Sequence, residues 1–135
     1  MSNPDAYHKS SRIIVLGTTL ILGVAAVVMI FAPVEVANAL GFVDARSAAL
    51  VFELYGAALF GLAMTGWMVR GAVIGGIFGR SYVVGSSAHA TVGAFALIRV
   101  VMAPGARPAA LALCAIYCLL ALVFGYLVFA ATPAS

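Results

Sequence analysis

Residues 13–32 read IIVLGTTLILGVAAVVMIFA, an uncharged run that stops at Pro33. At about 1.5 Å of rise per residue, a helix of this length crosses a hydrocarbon core of roughly 30 Å. A helix is what lipid demands, because no water is there to satisfy backbone N–H and C=O groups. Lys9 and Arg12 precede the run, and Ala37-Asn38-Ala39 has the small-residue look of a signal-peptide cleavage site. The run nevertheless exceeds the roughly 7 to 15 apolar residues of a signal, so it is read as a first span retained in the protein.

Outward from this stretch the pattern recurs three times. Further spans are predicted over about 47–69, 82–102 and 108–131, separated by short joints rich in proline and glycine. The joints are Pro33 with the segment to Arg46, the link RGAVIGGIFGR between Arg70 and Arg80, and Pro104-Gly105 with Pro108. The segment 33–46, PVEVANALGFVDAR, mixes apolar residues with Glu35, Asn38 and Asp44, as a folded loop or a short helix in the membrane interface would. Short links force neighbouring spans to run antiparallel. The expected fold is therefore all-α: an integral membrane four-helix bundle forming a single transmembrane domain over residues 1–135.

Composition agrees. Of 135 residues, 65% are apolar and 8% are charged, whereas a soluble domain carries about a quarter charged residues. The net charge of +3 would point to nucleic acid in a soluble chain, but no basic run interleaved with aromatics is present, so nucleic acid is excluded as a partner and the lipid bilayer takes its place. The positive charge reads as an orientation signal. With the amino terminus inside, Lys9, Arg12, Arg70 and Arg80 fall on the inner side, against Arg46 and Arg107 outside, so both termini are expected to be cytoplasmic. Trp67, Tyr82 and Tyr126 then lie near the inner interface, where aromatic belts form.

Four polar residues inside the spans form the expected buried cluster: Glu53, Tyr55, His89 and Arg99. An ionisable group within a span is costly and usually faces protein or a cavity. Ala57, Gly61 and Thr65 follow Glu53 at steps of four, a stripe where another helix can approach. Counted from the outer ends, Glu53 lies about 10 Å down its span and Arg99 about 5 Å down the next, so an ion pair is within reach. The competing reading has Arg99 snorkelling to headgroups and Glu53 protonated or bonded to a hydroxyl. His89 stands in GSSAHATVG between Gly85 and Gly93, which leave room around an imidazole. It could carry protons or ligate a cofactor, or simply bond a neighbouring helix; a lone histidine makes a poor metal or haem site.

Cys114 and Cys118, four apart on one helix, suit disulfide geometry badly and read as small packing residues. No metal site is expected. Arg70 and Arg80 flank the glycine-rich link as inner-face contacts to anionic lipid. That link lacks the Gly-Lys-Ser/Thr ending of a phosphate loop, and no strand precedes it, so nucleotide binding is rejected there.

A first span ending in proline, a loop with Leu40-Gly41-Phe42, a second span with Glu53-Leu54-Tyr55-Gly56, and a short glycine and arginine link together resemble the small DoxX-like bacterial four-helix membrane proteins. The resemblance covers most of the chain in layout. It implies a multi-pass protein of the bacterial inner membrane and an association with quinone-linked oxidoreductase complexes; no quinone-site pattern matches residue by residue. Three functions stay open. One is a non-enzymatic accessory, or a bundle binding lipid or a partner, as a homo-oligomer or with another membrane subunit. Another is a small proton-coupled transporter or channel using Glu53, His89 and Arg99. The third is a quinone-linked oxidoreductase subunit. Small multidrug exporters place their essential carboxylate in the first span, which here carries no charge. No cofactor is specified.

Overall fold

In the computed structural model the chain is helical, with residues 4–71 and 76–130 described. Outside the described residues lie 72–75 of the glycine-rich link, Ala131 at the end of the expected fourth span, and the side chains before Arg12, Lys9 among them. Five helices follow in order: α1 Pro4–Phe31, α2 Pro33–Leu40, α3 Ala45–Val69, α4 Ile77–Val101 and α5 Pro108–Ala130. Four of them, α1 from Arg12 onward, α3, α4 and α5, are long and apolar enough to cross a membrane, as a multi-pass membrane protein requires. The chain divides into two compact units, residues 1–71 and residues 72–135.

In the first unit α1 packs along α3. The contact exists because α3 turns a glycine toward α1. A Cβ built on Gly56 would lie 2.9 Å from Met29 Cβ and 3.0 Å from the Ala26 carbonyl oxygen, so only hydrogen lets the two backbones come this close. Leu22, Ala26 and Met29 of α1 meet Leu59 and Ala63 of α3 in the resulting core.

The segment after Pro33 resolves into a short helix and a turn. Pro33 sits in the first turn of α2, where its missing N–H would have had no partner. Gly41 ends the helix in the left-handed conformation, φ 94°, a position that glycine occupies without strain. Its N–H donates to the Asn38 carbonyl and that of Phe42 to the Ala37 carbonyl, which closes the last turn. Phe42 then packs edge-on against Phe52 of α3, ring centroids 5.4 Å apart. Ala37, Ala45 and Phe52 make a second small core that fastens α2 to the start of α3.

Asp44 caps α3. One carboxylate oxygen accepts the Ser47 N–H at 3.1 Å and the other accepts the Ser47 hydroxyl. These bonds, the hydroxyl's first, hold the Asp44 carboxyl below its usual value of 3.8. A depressed folded pKa means that the cap's contribution is complete above the unfolded value and is lost as pH falls through the folded one. Amide hydrogen exchange in micelles is therefore expected to show the Ser47 amide protected at neutral pH and deprotected as the pH drops below that range. Asp44→Ala should expose it at every pH; unchanged protection in that variant would show that the cap contributes nothing.

In the second unit α4 packs along α5. The helix α4 starts at Ile77, five residues before the expected 82, so the last four residues of the glycine-rich link are helix. Gly79 lies buried inside the first turns. Ser81 returns its hydroxyl to the Ile77 carbonyl at 2.8 Å. Tyr82 meets Phe124 edge-on, centroids 6.0 Å apart, over the best-buried side chains of this unit, Val83, Phe124 and Leu127.

Outward, the long helices present large apolar side chains. Phe31, Met68, Ile77 and Phe129 are each more than three-quarters exposed, an arrangement that water penalises and lipid accepts.

Candidate functional site

The expected polar residues fall in both units. Glu53 and Tyr55 stand on α3 in the first; His89 and Arg99 stand on α4 in the second. Within its own unit Glu53 is exposed, while Tyr55 is half-buried against the core of Leu22, Ala26 and Leu59. The close approach of α1 falls on Gly56 and Ala63. The stripe of Ala57, Gly61 and Thr65 below Glu53 is an exposed face of this unit, with Thr65 returning its hydroxyl to the Gly61 carbonyl at 2.9 Å.

His89 is half-buried on α4, its Nε2 3.3 Å from the Tyr117 hydroxyl of α5, with the ring centroids 5.7 Å apart. The hydroxyl donates if Nε2 is the bare nitrogen and accepts if it carries the proton. Tyr117 reaches this place because Gly93, one turn on from His89, has no side chain: a Cβ there would lie 2.3 Å from the Tyr117 ring. Sequence reasoning gave Gly85 and Gly93 to the imidazole. In the structure Gly93 houses the tyrosine, and nothing among the described residues lies within 4 Å of where a Cβ on Gly85 would stand. Arg99, exposed in the last turn of α4, stands about 15 Å further along the same helix than His89.

Two buried hydroxyls on α4 face the same problem as the histidine without its solution. Ser86 and Tyr82 are 2% and 4% exposed, and neither Ser86 Oγ nor Tyr82 Oη has a hydrogen-bond partner among the described residues. Thr19 Oγ1 on α1 is in the same condition. A buried hydroxyl left unbonded costs about 1–3 kcal/mol. Thr19 and Ser86 carry no sequence signal, since threonine and serine also sit harmlessly on helix surfaces, and Tyr82 reads from sequence as an interfacial aromatic, not as a buried hydroxyl.

At the end of α3, Arg70 folds back over Trp67. Its guanidinium carbon lies 4.3 Å from the ring centroid, and Nη1 donates to the Trp67 carbonyl at 2.6 Å. Arg80 is exposed in the first turn of α4. Trp67 also lines a groove of about 400 Å³ between α1 and α3, apolar but for Thr19. Cys114 is buried and Cys118 partly so, both as free thiols. Among the described residues no three histidine, cysteine or acidic side chains gather where they could hold a metal ion.

No protein-family profile, curated protein or solved structure matches this chain.

Proposed function

We propose that this protein is a non-catalytic membrane bundle, an accessory subunit or a binder of lipid and protein partners, in which the Glu53 face of α3 is covered by protein. One observation carries the reading. Glu53 is exposed in its own unit, at the head of the small-residue face formed by Ala57, Gly61 and Thr65. A charged side chain facing lipid costs about 2.5–3.5 kcal/mol near the centre of a span, and a row of small side chains lets another helix come close enough to remove that cost. Arg99 of the same chain, a second copy or another membrane subunit would each answer the carboxylate.

In this reading neighbouring spans run antiparallel, both termini are cytoplasmic, and the membrane is the bacterial inner membrane that the DoxX-like resemblance implies. The antiparallel course is supported by register: Gly56 stands against Ala26 and Met29 while Ala63 stands nearest Gly23, and Gly93 meets Tyr117 while Tyr82 meets Phe124.

A second reading, the proton-coupled transporter, draws its support from the bond between His89 and Tyr117 and from the unbonded hydroxyls of Ser86 and Tyr82 on the same helix. The quinone-linked reading rests on the resemblance alone. Glu53→Gln separates the first two. Purified variant protein is expected to lose thermal stability or assembly state, with no proton-coupled uptake in either variant or parent. A variant as stable as the parent but deprived of a proton flux that the parent shows would overturn the accessory reading in favour of the transporter.

A further inference from the structure

The groove between α1 and α3 lies within one unit. Thr19, Gly23 and Val27 line one wall at helical steps, and Phe60, Met64 and Trp67 line the other, so one face of each helix forms a slot about 12 Å long. Gly23 opens the slot, since among the described residues the only atom near a Cβ built there is Ala63 Cβ at 3.9 Å. Its lining offers an occupant almost nothing but hydrocarbon.

The charge lies at one end. Trp67 lines the slot, and Arg70, one turn further, is stacked on its ring and bonded to its carbonyl, so this cation is held in place at the groove mouth. On α1, Arg12 precedes the lining residue Thr19 by two helical turns and therefore shares its face. An apolar slot with arginines beyond one end matches a molecule with an apolar tail and an anionic head. The geometry points to a binding site for an anionic phospholipid, one acyl chain lying between α1 and α3 and the phosphate set among Arg70 and Arg12. The inference rests on the reading of the chain as a lipid-embedded bundle and adds to it a specific lipid, a place and two recognising residues. A guanidinium pinned over an indole has already lost much of its rotamer freedom, so it gives up less when it binds a phosphate oxygen.

Trp67 is the only tryptophan, which makes the site its own reporter. Protein reconstituted in unbrominated phosphatidylcholine is titrated with phosphatidylglycerol brominated on its acyl chains, and separately with brominated phosphatidylcholine. Trp67 fluorescence is expected to be half quenched at a several-fold lower mole fraction of the anionic lipid. Arg12→Gln, which leaves the indole untouched, and Arg70→Gln should each bring the anionic curve toward the zwitterionic one. Gly23→Leu, which fills the slot, should remove the early phase of quenching and leave the zwitterionic curve in place. Coincident curves for the two lipids in the parent protein overturn the site while leaving the membrane reading intact. Quenching by neither lipid overturns the membrane reading as well. A slot closed by a second copy of the chain, seen as cross-linked dimer with no early quenching phase, also overturns the lipid site.

Discussion

Replacing Gly56 with leucine is expected to separate α1 from α3 and to cost about 3 kcal/mol or more, and replacement with alanine to cost roughly 1–3 kcal/mol. The size follows from what a side chain would meet. The first carbon of any residue at this position would stand 2.9 Å from Met29 Cβ and 3.0 Å from both the Ala26 carbonyl oxygen and Ile30 Cγ1. Two of these atoms are fixed to the α1 backbone, so no rotamer change relieves the collision and the helices must move apart. Separation in turn uncovers Ala26 and Leu59, which are 0% and 2% exposed. In lipid no hydrophobic force pulls the pair together again; close packing is the main attraction, and Gly56 is where it is closest. Gly61→Ala is the matched control, because nothing among the described residues lies within 4 Å of its Cβ position. Unfolding in mixed micelles should show a large loss for Gly56→Ala beside a change near zero for Gly61→Ala. Equal behaviour of the two variants would mean that α1 and α3 do not meet at Gly56.

That pair of glycines also shows where sequence reading succeeds and where it stops. The four long helices were legible because lipid imposes a strong rule, an apolar run long enough to hide its own backbone, and the runs ending at Pro33 and beginning at Pro108 obey it. The faces that meet were not legible. In water a helix shows its buried side as an apolar stripe, but in lipid both sides are apolar and the stripe disappears. Along α3, Gly56, Ala63 and Gly66 make one row of small residues and Ala57, Gly61 and Thr65 make another; the structure uses the first against α1. The acidic residue points to the second row, and Gly56 carries no sequence signal beyond its place next to Tyr55.

The same limit appears at the ends of helices. Glycines in RGAVIGGIFGR argue for a loop by propensity, yet Ile77–Arg80 are helical, with Gly76 as the extended N-cap and Gly79 buried. Asp44 reads from sequence only as a polar residue of the 33–46 segment, yet it caps α3, which opens at Ala45, two residues ahead of the expected boundary. His89 was legible as a residue needing a partner. Its partner lies 28 residues away on another helix, a distance over which a single sequence carries no pairing information.

Gly93→Ala tests that pairing and should cost about 1–3 kcal/mol, the range for overpacking a filled site. The new methyl carbon would stand 2.3 Å from Tyr117 Cε1 and 2.4 Å from Cδ1, which are atoms of a rigid ring that is itself only 6% exposed. The ring cannot bend, so it must leave, and with it goes the hydroxyl that bonds His89 Nε2. Tyr117→Phe separates the two losses: it removes the hydroxyl, worth about 0.5–1.5 kcal/mol, but keeps the ring beside residue 93. Gly93→Ala should therefore cost less in the Tyr117→Phe background than in the parent, by about the 0.5–1.5 kcal/mol of the hydroxyl already removed, and what remains is the cost of moving the ring. In a Tyr117→Leu background the ring is gone, and the added methyl should cost little. Each single change made alone would thus be expensive, and the pair together well short of their sum, a coupling of about 1 kcal/mol or more in a double-mutant cycle. Strict additivity between positions 93 and 117 would show that the glycine does not house the tyrosine, and that His89 owes its hydroxyl partner to something other than the missing side chain one turn along its own helix.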